Sequence, residues 1–374
     1  MVIRDRFWLT LWFLVMSAHG LLASEALVLV VAGPMTGPSA AVGLQMRRGA
    51  ALAVMDVNAH GGVLGRPVRM EVQDDACDPR QALTIATFLM RRQIKLVVGH
   101  ACSGASLLAS EVYGENDVLM VSPASTTPAL TDNAAAAGWR TIFRLAARDD
   151  ELGRFVGAWV ALRHRGARVA VINDQTVYGF AQAEQVRAAL QVQGIPSVLD
   201  GTMTPGEEVP PALLADIKRI NPSILYFAGY AVEAEHLVRQ MRARGVAAVL
   251  MTNGSLVTPD FWAIAGPDVA GTLMAFAPEP RDNPAARQVV QRLLASGFNP
   301  EGYTLYTYAA VQVIMAGAAV AGSVEPNRIA AVLRSGRPID TVLGPIAFDN
   351  KGDLKNARYA MYVWDGDGQY REQP

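Results

Sequence analysis

Two stretches concentrate side chains able to hold an anion. Gly99-His100-Ala101-Cys102-Ser103-Gly104-Ala105-Ser106 follows one apolar run and leads into a helical pattern, and Ser122-Pro123-Ala124-Ser125-Thr126-Thr127 follows the next run. Hydroxyls and free backbone N–H groups at a helix start, where peptide dipoles leave a partial positive charge, suit a carboxylate. Ser and Thr are also preferred helix caps, so each cluster taken singly has a structural explanation. His100, a lone histidine beside a strand end, is assigned no chemistry.

No catalytic constellation accompanies these loops. The first turn, Gly33-Pro34-Met35-Thr36-Gly37, lacks the G-x-G-x-x-G spacing of dinucleotide sites. Neither a G-x-S-x-G elbow, an H-E-x-x-H pair nor a G-x-x-x-x-G-K-[ST] loop occurs. The expectation is a protein that is not an enzyme and uses no cofactor. Two cysteines, Cys77 and Cys102, without a placed histidine cluster make a poor zinc site, so no metal is expected. With 33 basic residues against 34 acidic ones, no overall field draws nucleic acid.

The elements that must position the two loops read as α/β. Apolar runs at 27–32, 68–72, 96–99 and 118–122 alternate with helical patterns at 47–58 and 79–92, and Gly61-Gly62 ends the first of these helices. The rhythm restarts after Arg144, with strands at 169–173, 224–228 and 248–252 and helices at 151–164, 178–193 and 234–245. Helices near 284–296, 306–321 and 328–334 and strands near 346 and 360–364 complete the chain. This alternation implies two parallel sheets, in keeping with a length of 374 residues, and ligands bind such sheets beyond the carboxyl ends of the strands.

At the N-terminus Arg4 and Arg6 precede an apolar run over 7–16 and small residues through Ala26. The run is broken by Ser17, His19 and Gly20, well short of the about 20 apolar residues a membrane span needs, and it reads as a cleaved secretory signal over 1–24. Export places Cys77 and Cys102 where disulfides persist, and they are expected to pair.

The sequence resembles the periplasmic leucine/isoleucine/valine-binding proteins, the type I solute-binding proteins of branched-chain amino-acid ABC transporters. The resemblance runs through Gly33-Pro34-Met35-Thr36-Gly37-Pro38, Asp74-Asp75-Ala76-Cys77-Asp78-Pro79, Gly99-His100-Ala101-Cys102-Ser103, Ser122-Pro123-Ala124-Ser125-Thr126-Thr127, Tyr178-Gly179, Ala228-Gly229-Tyr230, Tyr308-Ala309-Ala310 and Lys351-Gly352-Asp353-Leu354-Lys355. It implies a periplasmic-binding-protein-like type I fold, two Rossmann-like lobes with parallel sheets joined by a multi-strand hinge. Residues 25–144 with 275–353 would form the first lobe, and 145–274 with 354–374 the second. It supports the Cys77–Cys102 disulfide and implies a periplasmic protein that delivers its ligand to an inner-membrane ABC permease. The same fold also serves ligand-sensing receptor subunits that signal to a membrane partner, which is the alternative reading.

By the same resemblance Ser103 and Thr126 bind the ligand carboxylate, and the Ala124 carbonyl takes part in holding an ammonium. Tyr178 and Tyr230 close over the ligand, and Tyr303 lines its side-chain pocket. Two departures stand out. The glutamate that pairs with the ammonium in the family aligns with Gly254, and Glu233, shortly after Tyr230, and Asp174, before Tyr178, are the candidate acids to replace it. A tyrosine and a leucine are replaced by the smaller Val42 and Ala101, which implies a roomier cleft. Two ligand classes therefore stand side by side: a branched-chain or neutral amino acid, as kinship implies, and a larger small-molecule carboxylate, aromatic acids among them, without an amino group.

Overall fold

The computed structural model describes residues 25–373, so the export signal expected over 1–24 lies outside the described residues. The first sheet takes the short apolar runs of the N-terminal third. Its strands are β1 (Leu27–Gly33), β2 (Val68–Asp74), β3 (Leu96–Gly99), β4 (Leu119–Ser122) and β5 (Ile142–Arg144), parallel throughout in the order β2-β1-β3-β4-β5. Every position of β3 and β4 is buried, as strands covered on both faces require.

The second sheet collects β6 (Val169–Asn173), β7 (Leu199–Thr202), β8 (Ile224–Ala228), β9 (Val249–Asn253) and β10 (Leu273–Phe276). A hairpin of β11 (Ile339–Thr341) and β12 (Gly344–Ile346) intervenes, and β13 (Ala360–Trp364) and β14 (Tyr370–Gln373) then complete the order β14-β13-β10-β9-β8-β6-β7. The last two strands run antiparallel. The boundary expected at 274/275 falls inside β10, whose four residues the sequence reading leaves unassigned.

Around the first sheet lie α1 (Ala40–Ala59), α2 (Pro79–Arg91), α3 (Ser103–Glu115) and α4 (Ala129–Ala136). The middle of the chain adds α5 (Asp149–Arg163), α6 (Val177–Val192), α7 (Pro211–Ile220), α8 (Ala231–Ala243) and α9 (Pro259–Ala265). Then follow α10 (Arg287–Ala295), α11 (Thr304–Ala321) and α12 (Pro326–Leu333). Local chemistry sets the starts: Asp78 Oδ1 accepts the Gln81 N–H at 2.8 Å with Pro79 in the first turn of α2, and Thr176 Oγ1 accepts the Gly179 N–H at 2.9 Å at α6.

Late chain segments return to earlier ones. Helix α11 packs along α1, and Gly49 makes that approach feasible, since a Cβ there would stand 2.1 Å from the Thr304 carbonyl oxygen. Although α11 is long and apolar enough to cross a membrane, 72% of it is buried within the protein, as a core helix. Gln45 on α1 donates to the Val257 carbonyl at 2.8 Å and accepts the Tyr303 N–H at 3.0 Å, stitching three distant parts of the chain together.

Arg144, at the end of β5, is fully buried. Its Nε donates to Asp353 Oδ1 at 2.5 Å and its Nη1 to the Thr127 carbonyl at 2.6 Å, while Arg148 reaches the other Asp353 oxygen at 2.9 Å. A guanidinium out of water is tolerated only with such full pairing.

Cys77 and Cys102 form a disulfide, with Cα atoms 5.5 Å apart. It ties the turn after β2 to the N-cap of α3. Closing a loop of 25 residues restricts the unfolded chain by roughly 3 kcal/mol in the chain-entropy account. The double variant Cys77→Ser, Cys102→Ser should lose about that much stability in urea unfolding of the oxidised proteins; coincident midpoints would refute a stabilising role for the bond.

Candidate ligand-binding site

The carboxyl ends of strands from both sheets face one cavity of about 240 Å³. Beyond β3 come Ala101 and Ser103, beyond β4 Ala124 and Thr126, beyond β8 Tyr230, and Tyr178 opens α6 after β6. Val42 of α1 and Tyr303, just before α11, complete the set of expected residues on its wall. Gly254 is the exception. It lines a smaller cavity of about 30 Å³, whose walls share Thr126, Tyr178 and Tyr303 with the larger one.

The structure separates hydroxyls that lock the loops together from one that faces the cavity without a side-chain bond among the described residues. Ser122 Oγ donates to the His100 carbonyl at 2.7 Å and Ser125 Oγ to the Ala101 carbonyl at 2.9 Å, so both lock the two loops together. Ser103 makes no side-chain hydrogen bond among the described residues, and no side chain caps α3. Capping therefore does not account for Ser103, and the first N–H groups of α3 stand at the cavity. His100 is fully buried, with Nδ1 2.6 Å from Asp75 Oδ2 and Nε2 3.2 Å from the Tyr113 hydroxyl, a scaffold under the loop.

Opposite, the rings of Tyr178 and Tyr230 lie 5.0 Å apart. Burial pushes both phenols well above their ordinary pKa, with Asp149 adding to the effect on Tyr178 and Asp174 to that on Tyr230, so both remain neutral donors. Gln182 on α6 donates to the Tyr178 hydroxyl at 3.0 Å and to Asp149 Oδ1 at 2.9 Å. Its Oε1 accepts from Tyr226 at 3.1 Å and from Asn253 at 2.8 Å. Thr126 Oγ1 donates to Asp149 Oδ2 at 3.0 Å, which joins the first-sheet loop to this network.

Glu233 and Asp174, the candidate acids to replace the glutamate, line neither cavity. Asp174 accepts from Thr176 and, at 3.0 Å, from the Tyr230 N–H, and Glu233 accepts the Gly206 N–H at 2.9 Å; both brace turns of the second sheet. Other polar residues reach the walls unannounced, among them Asp149, Gln182 and Asn253 in the smaller cavity and Ser39, Ser255, Thr258 and Glu235 in the larger. Thr258 Oγ1 is buried and has no partner among the described residues. Asp149 is fully buried, and desolvation lifts its carboxyl to about 6 against the opposing hydrogen bonds from Gln182 and Thr126. In the sequence Asp149 heads an acidic run that looks like ordinary helix-start charge, and Glu235 sits within a helix where acids usually face water.

Gly254, where the resemblance implies a glutamate, sits in a tightly packed place. A Cβ there would stand 2.1 Å from Cδ2 of Phe276, whose ring meets Tyr303 edge-on at 5.6 Å. The aromatic pair occupies the room a side chain at 254 would need.

Two mostly parallel sheets with helices on their faces, meeting across a cavity at their strand ends, constitute the type I periplasmic-binding fold. The profile of the periplasmic binding proteins matches residues 28–369. A "Leu/Ile/Val-binding protein homolog 1" from Brucella suis is 38% identical over 339 residues, covering 90% of each chain. An "Amino acid binding protein" from Pseudomonas aeruginosa is 39% identical over 362 residues, 96% of this chain and 95% of that one. The crystal structure of a leucine-binding protein from Thermotoga maritima superposes with a TM-score of 0.85 at 23% identity, covering 93% of this chain and 98% of that one. The chain belongs to the periplasmic binding protein family.

Gly254→Ala should destabilise the protein by about 1–3 kcal/mol, the range for overpacking a filled interior, because Phe276 must move. A thermal midpoint equal to that of the parent would show that the ring yields freely.

Proposed function

We propose that this protein is the periplasmic solute-binding component of an ABC importer, capturing a branched-chain or neutral amino acid, or a related small carboxylate, between its two lobes. The lobes comprise 25–144 with 275–353, and 145–274 with 354–374. The observation that carries the reading is the convergence of Ser103, the side-chain-uncapped start of α3 and Thr126 on a cavity whose far wall is Tyr178 and Tyr230. An anionic head group meets hydroxyl and N–H donors on the first lobe, at the positive end of a helix dipole. The two tyrosines then supply neutral donors and apolar area from the second lobe, and hinge closure seals the space. The closed form presents both lobes in the relative position that an inner-membrane permease reads. The names carried by the Brucella and Pseudomonas relatives agree with this assignment.

Calorimetric titration with leucine, phenylalanine, isocaproate and hydrocinnamate tests the proposal, and at least one should bind with micromolar or better affinity. Thr126→Ala should weaken that binding at least about tenfold, the loss of one hydrogen bond to a charged group. Silence from all four, with the protein folded, would overturn the assignment.

A further inference from the structure

Acids reach the walls of both cavities. Asp149 lines the smaller and Glu235 the larger, while no Lys, Arg or His lines either one among the described residues. A ligand that brought only a carboxylate would place a second negative group near Asp149, with no cation on either wall among the described residues, against the rule that buried charges are paired.

Asp149 is placed to receive a positive group. Its carboxylate has two neutral hydrogen-bond donors, Gln182 and Thr126, and no ion pair among the described residues. Arg144, the guanidinium whose charge acts on it, is committed to Asp353 and to the Thr127 carbonyl. Thr126 belongs to both cavities at once, and the smaller space, about 30 Å³, has room for a group the size of a water or an ammonium. An α-amino acid holds its carboxylate and ammonium on neighbouring atoms, so one group on each side of Thr126 fits that division. Gly254 faces the same small space, its own side chain excluded by Phe276.

We infer that Asp149 supplies the ammonium counter-charge that position 254 lacks, so that the cleft selects α-amino acid zwitterions over the corresponding acids without an amino group. The inference rests on the solute-binding assignment above and narrows it to a ligand class. Its consequence is proton-linked binding. In the free protein burial holds the Asp149 carboxyl near 6; Arg144 opposes that shift and Asp150 adds to it. The phenols facing it, Tyr178, Tyr226, Tyr303 and Tyr359, are raised by burial and stay protonated throughout the range concerned. An arriving ammonium favours the ionised carboxylate, so below about pH 6 binding must expel a proton. Affinity for an amino acid is then level above that pH and falls up to about tenfold per unit below it. A bare carboxylate does the reverse: it favours protonated Asp149, takes up a proton and binds more weakly as pH rises through 6.

Calorimetry with leucine, phenylalanine, isocaproate and hydrocinnamate between about pH 5 and 8, in buffers of different ionisation enthalpy, reads affinity and proton exchange together. The expected result is amino-acid binding with proton release below pH 6, at least tenfold tighter at pH 7 than binding of the matching desamino acid. Asp149→Asn should weaken amino-acid binding at least tenfold, abolish the proton release and leave desamino-acid binding unchanged or stronger. Amino-acid binding with no pH dependence and no proton exchange would overturn the role of Asp149 while leaving the solute-binding assignment intact. Tighter binding of the desamino acids with proton uptake would do the same. No binding of any probe would defeat both readings. The proton count on the parent protein decides the matter even if Asp149→Asn folds poorly.

Discussion

A guanidinium with no access to water sets the position of one half of the cavity. Arg144 ends β5, and its partners come from the loop after β4, from α4 through Thr131, and from Asp353 more than two hundred residues further on. Breaking a buried pair on one side leaves an uncompensated charge, which costs several kcal/mol. The loop bearing Ala124 and Thr126 is thus held by an interaction that exists only when the returning C-terminal segment is in place. Half of the site is assembled by the far end of the chain.

The same logic of compensated charge orders the rest of the cleft. Asp74 accepts the Met35 N–H at 2.9 Å and the Thr36 N–H at 3.2 Å, fixing the turn after β1, and Asp75 anchors His100 beneath the α3 loop. Asp174 performs the matching task for Tyr230. These acids are satisfied within the protein. Asp149 and Glu235 differ in having a cavity beside them, and it is this difference in surroundings that gives the cleft its electrostatic character.

Much of the architecture was legible in the sequence because buried parallel strands are short continuous apolar runs, and those at 27–32, 96–99 and 224–228 lie within a residue of the observed β1, β3 and β8. Apart from β10, the strands that escaped include ones whose place comes from neighbours. β7 reads Leu-Asp-Gly-Thr with alternate residues exposed at a sheet edge, and β14 is Tyr-Arg-Glu-Gln paired only with β13. β5 is three residues long and owes its place to β4 and to Arg144. For the cavity, Ser103 and Thr126 stood out because their hydroxyl-rich loops follow strand ends, while Tyr178 and Tyr230 came from the family resemblance. Asp149 and Glu235 could not, since an acid in the first turns of a helix looks the same whether its neighbour is water or a closed space.

The disulfide gives the first-lobe half of the site a particular kinetic character. Cys102 immediately precedes Ser103, and its bond to Cys77, together with the Asp75–His100–Tyr113 stack, leaves that loop little freedom to reorganise when a solute arrives. Docking onto a surface already in its final shape forfeits little ordering entropy, so encounter can proceed near the rate set by diffusion and orientation. Under the proposed assignment, discrimination among similar solutes then falls to how long each one stays, through contacts with the tyrosines and acids of the opposite wall.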